Sequence, residues 1–170
     1  MKKIIFTILL TLITTLNAET ATNPHFTITD TTNSAINITD LKQGLLFNEY
    51  KGKAVLLIMF GHNCPPCREE MPELIELFKK NKDRLAIVAI EVQGYKTAQL
   101  AQFKKSEGIN YTLISGEDNQ KFVQHIFTRA GWQGQIPFLI AIDKNGEVKD
   151  IRAGLLGKET LKGFVDSLNR

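Results

Sequence analysis

The sequence predicts an α/β domain built on a mixed β-sheet with helices on both faces. Three observations predict it. Two continuous apolar runs, residues 54–60 (AVLLIMF) and 85–92 (LAIVAIEV), suit strands buried on both faces. Segments of helical periodicity separate the strand-like runs, as in parallel βαβ units. Late in the chain, two strand-like runs meet through Asp143-Lys144-Asn145-Gly146, an antiparallel hairpin signal.

Taken in order, residues 25–28 (HFTI) and 35–38 (AINI) read as two short strands around a Thr/Asn/Ser turn. Residues 40–52 read as a connector. The buried strand 54–60 leads into a helix over 65–81, with Leu74, Ile75, Leu77 and Phe78 on its apolar side. After the strand at 85–92, a helix over 97–107 is ended by Gly108. Residues 111–114 form a short strand. In a helix over 119–130, Phe122, Val123, Ile126 and Phe127 are spaced for one buried face. Strands over 138–142 and 147–153 make the hairpin, and a helix over 158–168 closes the chain. No internal repeat or interdomain linker interrupts this order.

Of the 170 residues, 43% are hydrophobic and 23% charged, a soluble globular composition. The net charge of +3 owes two units to Lys2 and Lys3. Setting them aside leaves 19 basic against 18 acidic side chains, with no basic field to draw nucleic acid. The first residues have the order of an export signal: Lys2 and Lys3, an apolar stretch from Ile4 to Leu16, then Asn17-Ala18-Glu19. The thirteen residues of that stretch are fewer than the roughly 20 a membrane span needs. Residues 1–18 are therefore expected to be a signal peptide, cleaved after Ala18 or kept as an anchor. Residues 19–170 then form the folded domain, in the periplasm.

The chain has two cysteines, Cys64 and Cys67, in Cys64-Pro65-Pro66-Cys67. Two thiols are too few for a disulfide framework, a structural zinc site or an iron–sulfur cluster. Arg68, not His, follows the second Cys, which argues against covalent haem. A purely structural disulfide over so short a loop would stabilise little. A redox-active pair fits best. It lies between a buried strand and a helix start, where unpaired N–H groups and the helix dipole stabilise a thiolate, the attacking species. Cys64 is the expected nucleophile. Cys67, one turn further in, is expected to be more shielded and to resolve the mixed disulfide. Prolines are tolerated in the first helical turn, but they remove backbone donors near Cys64. Only a moderate stabilisation of its thiolate is expected. No metal and no cofactor beyond the disulfide itself is called for.

The segment 60–72, FGHNCPPCREEMP, resembles the active-site stretch of thioredoxin-fold proteins, most closely the exported TlpA/ResA/CcmG (DsbE)-like branch. The resemblance covers about residues 25–168 and implies a thioredoxin fold. Residues 26–41, FTITDTTNSAINITDL, resemble the N-terminal β-hairpin that this branch adds. Pro72 matches the proline that kinks the active-site helix. Ile136-Pro137 matches the cis-proline position facing the dithiol, and implies that Ile136 offers backbone hydrogen bonds to a partner chain. Glu70 lies one turn beyond Cys67. A matching glutamate in the branch sits near the dithiol, where it would oppose thiolate formation and shuttle a proton to or from Cys67. Its alternative is an exposed helix charge. Cys64, Cys67, Glu70 and Pro137 are thus the candidate catalytic residues, and Ile136, Pro65, Pro66 and Trp132 the candidate substrate contacts. Trp132 reads equally as a packed loop residue. Two departures stand out: Asn63 replaces the usual Trp, and Ile58 stands where thioredoxin keeps a buried acid. A proton relay is left to Glu70, His62 or water. His62 is either a stabiliser of the Cys64 thiolate or a solvent-exposed loop histidine.

The function so implied is a periplasmic thiol–disulfide oxidoreductase, a reductase of selected exported proteins such as apocytochrome c during cytochrome c maturation. Its electrons would come from a membrane thiol-transfer protein, and a monomer is expected. Competing readings are a disulfide oxidase or isomerase and, from another class, a thioredoxin-fold metallochaperone.

Overall fold

A computed structural model describes residues 23–169. The expected signal segment, residues 1–18, lies outside them. The sheet is organised around β4 (Ala54–Phe60), whose seven residues are all buried. It pairs parallel with β5 (Leu85–Glu91) on one side and antiparallel with β7 (Phe138–Ile142) on the other. β6 (Thr112–Ser115) adds parallel to β5, and β8 (Val148–Ala153) antiparallel to β7, giving the order β6-β5-β4-β7-β8. The helices are α1 (Pro65–Asn81), α2 (Thr97–Ser106), α3 (Gln120–Arg129) and α4 (Lys158–Leu168). None among the described residues is long and apolar enough to cross a membrane.

Side chains alternate across a strand, so one apolar run feeds two cores. Ala54, Leu56, Ile58 and Phe60 face a core closed by Leu74 of α1, Leu100 and Phe103 of α2, and Leu161, Phe164, Val165 and Leu168 of α4. Both cysteines lie in this core. Val55, Leu57 and Met59 face the opposite one, closed by Phe122 and Ile126 of α3 and by an N-terminal sheet.

That N-terminal sheet has three strands rather than the two of the expected hairpin. β1 (His25–Thr29), β2 (Ala35–Leu41) and β3 (Gly44–Phe47) pair antiparallel in that order. The expected connector over 40–52 therefore contains a strand, followed by a single 3₁₀ turn at Asn48–Tyr50. Four residues are too short a run to signal a strand alone. Tertiary bonds complete it: Leu45 N–H donates to Gly146 O at 2.8 Å, and Val148 N–H to Gln43 O at 2.9 Å. Single bridges at Asp30–Ile114 and Gly44–Glu147 attach this layer to the larger sheet.

The predicted turn residues behave as chemistry requires. Gly108 ends α2 at φ +66° and Gly146 turns the β7–β8 hairpin at φ +87°, both left-handed. Phe127 departs from expectation, being 46% exposed. The inward stripe of α3 is carried by Phe122 and Ile126, and Phe127 lies at its margin, edge-on to Trp132.

Candidate active site

The site is built where β4 ends and α1 begins. Cys64 is the N-cap of α1, in extended backbone at φ −121°. Pro65 and Pro66 occupy the first two helical positions and offer no N–H. The first donor available to the cap is Cys67 N–H, which reaches Cys64 Sγ at 3.3 Å. Cys64 and Cys67 are joined as a disulfide. Both cysteines are buried, Cys64 being 5% exposed and Cys67 3%, so the two residues do not differ in the way the expected greater shielding of Cys67 would require. Across from them the Ile136–Pro137 peptide is cis, and Cys64 Sγ approaches Ile136 O to 4.0 Å. The structure thus gathers Cys64, Cys67, Ile136 and Pro137 at one point. Pro65 is exposed beside them, while Pro66 and Ile136 are half-buried.

Glu70 lies on the inner side of the dithiol. It is 3% exposed and not the solvated helix charge that was its alternative. It shares with Cys67, Tyr111 and Pro137 the lining of a cavity of about 10 Å³, the lower limit for one water. One carboxylate oxygen accepts Leu156 N–H at 2.8 Å. Burial raises the carboxyl above its ordinary 4.5, and that bond partly offsets the rise. Burial, and then the Glu70 charge, also push the Tyr111 phenol well above its usual range. Because the folded-state value is raised, the stability drawn from protonated Glu70 is full below about 4.5 and is lost as pH rises through the folded value. Glu70→Gln keeps an acceptor for Leu156 N–H and removes this dependence. Its stability should increasingly exceed that of the wild type as pH rises from about 4 to 7, as denaturant unfolding of the oxidised proteins would show. A constant difference across that range would contradict the assignment.

Three placements differ from the sequence reading or go beyond it. Trp132, a candidate substrate contact, is buried in the core on the far side of the sheet. It packs 6.2 Å from the Phe138 ring, and its Nε1–H donates to Gln135 O at 2.6 Å. It supports the loop before Pro137 from beneath and presents no surface to a partner. Exposed Leu155 instead stands on the rim, in a loop tied at both ends to the site: Gly154 N–H donates to Pro137 O and Leu156 N–H to Glu70.

His62 is neither a free loop histidine nor directed at the sulfur by any bond. Its Nδ1 pairs with Glu91 Oε1 at 2.8 Å, and its ring stacks on Tyr95 at 3.6 Å. Glu91, a fully buried carboxylate at the end of β5, was hidden in the sequence as one more residue of an apolar run. The available signal was a lone acid at the carboxyl end of a parallel strand, where sites in such sheets gather. Among the described residues no group of three His, Cys, Asp or Glu side chains is placed to hold a metal ion.

The AhpC/TSA family model matches residues 21–151. The thiol-disulfide oxidoreductase ResA of Geobacillus thermodenitrificans is 30% identical over 149 residues, covering 87% of this chain and 76% of the relative. A thiol:disulfide interchange protein of Chlorobium tepidum superposes with a TM-score of 0.68 at 21% identity, over 88% of this chain and 97% of the other. StoA of Bacillus subtilis does so with 0.62 at 17%, over 85% and 98%. The structural likenesses show the shared thioredoxin-like fold.

Proposed function

The chain belongs to the AhpC/TSA family and is a thiol–disulfide oxidoreductase of the ResA type, and on that premise we propose that it works as an extracytoplasmic reductase of selected protein disulfides. The observation that carries the direction is the scarcity of thiolate stabilisation. Two prolines leave Cys64 Sγ a single backbone donor, and a buried carboxylate stands behind Cys67. A dithiol so placed gains little from ionising. Strong oxidants of this fold owe their potential to a stabilised reduced form, so this protein falls on the reducing side.

In the forward reaction the Cys64 thiolate attacks a partner disulfide. A mixed disulfide forms, and one partner sulfur leaves and takes a proton. Cys67 then gives its proton to Glu70 and attacks Cys64 Sγ. The second partner sulfur leaves as a thiol, and the protein is left as the Cys64–Cys67 disulfide. Two electrons have passed to the partner. Exposed Pro65, the Ile136 backbone and Leu155 form the surface that meets it. An exported apocytochrome c, whose haem-binding cysteines must be reduced, fits as substrate, and a membrane thiol-transfer protein as the electron source. The N-terminal segment at residues 1–18 supports export to the periplasm.

The test is the Cys64–Cys67 reduction potential, with trapping by Cys67→Ser. A potential near about −270 mV supports the reductase, and one near about −120 mV makes the protein a disulfide donor. Cys67→Ser should accumulate a mixed disulfide through Cys64 with a narrow set of partners. Many unrelated secreted proteins in the trap would overturn the selective role.

A further inference from the structure

The turn that delivers Cys64 is held from the neighbouring loop by two side chains. Glu91 accepts His62 Nδ1–H at 2.8 Å and the backbone N–H groups of Gln93 and Tyr95 at 2.9 Å each. Gln93 Oε1 accepts Asn63 N–H at 2.8 Å. Gly61 lies so close beneath that a Cβ there would collide with the Gln93 side chain. On the third side Arg68 Nη1 reaches His62 O at 3.4 Å, while its Nη2 pairs with Glu107 at 3.0 Å. The imidazole is clamped face-on by Tyr95, and its side chain is 22% exposed. Its bond to a buried carboxylate fixes the Nδ1–H tautomer whenever the ring is neutral.

We propose that His62 is a positioning residue of the exchange reaction. Through Nδ1–H donated to Glu91, it locks residues 61–63 so that Cys64 Sγ stays aligned on Cys67 N–H. The inference rests on the oxidoreductase reading of Cys64 and assigns the geometry of its nucleophile to a pair outside the dithiol. The link is short. His62 is two residues from Cys64, and Glu91 is the β5 partner of Phe60, the last residue of β4. At the position where the resemblance would put Trp, the chain has Asn63 and holds it by its main-chain N–H. A buried acid thus replaces aromatic bulk as the stiffener of the turn. The charged and titratable groups around the turn are Glu91 on β5, Tyr95 after it, Arg68 on α1 and Glu107 after α2. Glu70 and Tyr111 lie on the Cys67 side.

The test compares His62→Ala, which deletes the donor, with His62→Asn, whose side-chain amide can still donate to Glu91. The readout is the pH profile of Cys64 alkylation by iodoacetamide in the reduced proteins, with melting of the oxidised forms followed in parallel. The alanine variant should shift the profile to higher pH and react roughly tenfold more slowly at neutral pH. The asparagine variant should return to within about twofold of wild type. A wild-type profile for His62→Ala would overturn the proposal. So would an asparagine variant that melts like wild type yet reacts as slowly as the alanine variant, because the ring rather than the bond would then be required. Alkylation needs no disulfide partner, so failure of the reductase reading shows separately, as a wild-type protein that reduces no protein disulfide.

Discussion

Cys64→Ser should lower disulfide reduction by about a thousandfold or more, a loss of at least about 4 kcal/mol of transition-state stabilisation. A serine hydroxyl does not ionise near neutrality and cannot form the mixed disulfide. Cys67 cannot substitute, since it lies among Ile58, Met71 and Tyr111 behind the helix start. The fold should tolerate the change. The disulfide closes a loop with a sequence separation of only 3, so little chain entropy is at stake. The measurement is turnover of a peptide disulfide by the pre-reduced protein, beside its melting temperature. Residual activity within about tenfold of wild type would mean that Cys67 or another group attacks first.

Phe122→Ala should have the largest effect on stability and almost none on the chemistry. Phe122 is the widest side chain that α3 buries, and it meets the Phe26 ring of the N-terminal sheet at 5.4 Å. Truncating a buried phenylalanine costs about 3–5 kcal/mol, a large share of the roughly 5–15 kcal/mol that holds a domain folded. For a domain of this size that lowers the melting temperature by roughly 6–20 °C. The dithiol lies in the core on the other face of the sheet, so the potential of the folded molecules should not move. Calorimetry and a redox titration together check both halves. A small melting shift, or a displaced potential, would show that the two cores are not independent.

Much of this was legible in the sequence because the signals were local. The boundaries of β4, α1, β7 and α4 follow from uninterrupted apolar runs, a Pro-Pro start and turn residues. Cys64 and Cys67 declare themselves by spacing, and Ile136-Pro137 by resemblance. What escaped depends on distant partners. β3 is defined by its pairing with β2 and by Leu45 N–H donating to Gly146 O in the β7–β8 turn, partners that no four-residue window contains. Phe127 is left 46% exposed, and of the two readings of Trp132 the packed one holds, because contacts across the chain, with Phe138 and the Gln135 carbonyl, and not helical periodicity decide which ring is covered. Glu91 passes for one more residue of an apolar strand run, and only the fold brings His62 from the β4–α1 turn and two backbone amides from the following loop to its buried carboxyl oxygens.

The central place of β4 has a dynamic consequence. Both its edges are paired and both its faces covered, so its amides can meet solvent only when the whole domain opens. In deuterated water they should be the last to exchange, and they should exchange at one common rate. Cys64 is reached four residues beyond the end of that strand. The sulfur can therefore change its covalent partner at every turnover while the platform beneath it stays closed, and labelling during catalysis should colour the rim and leave the strand dark.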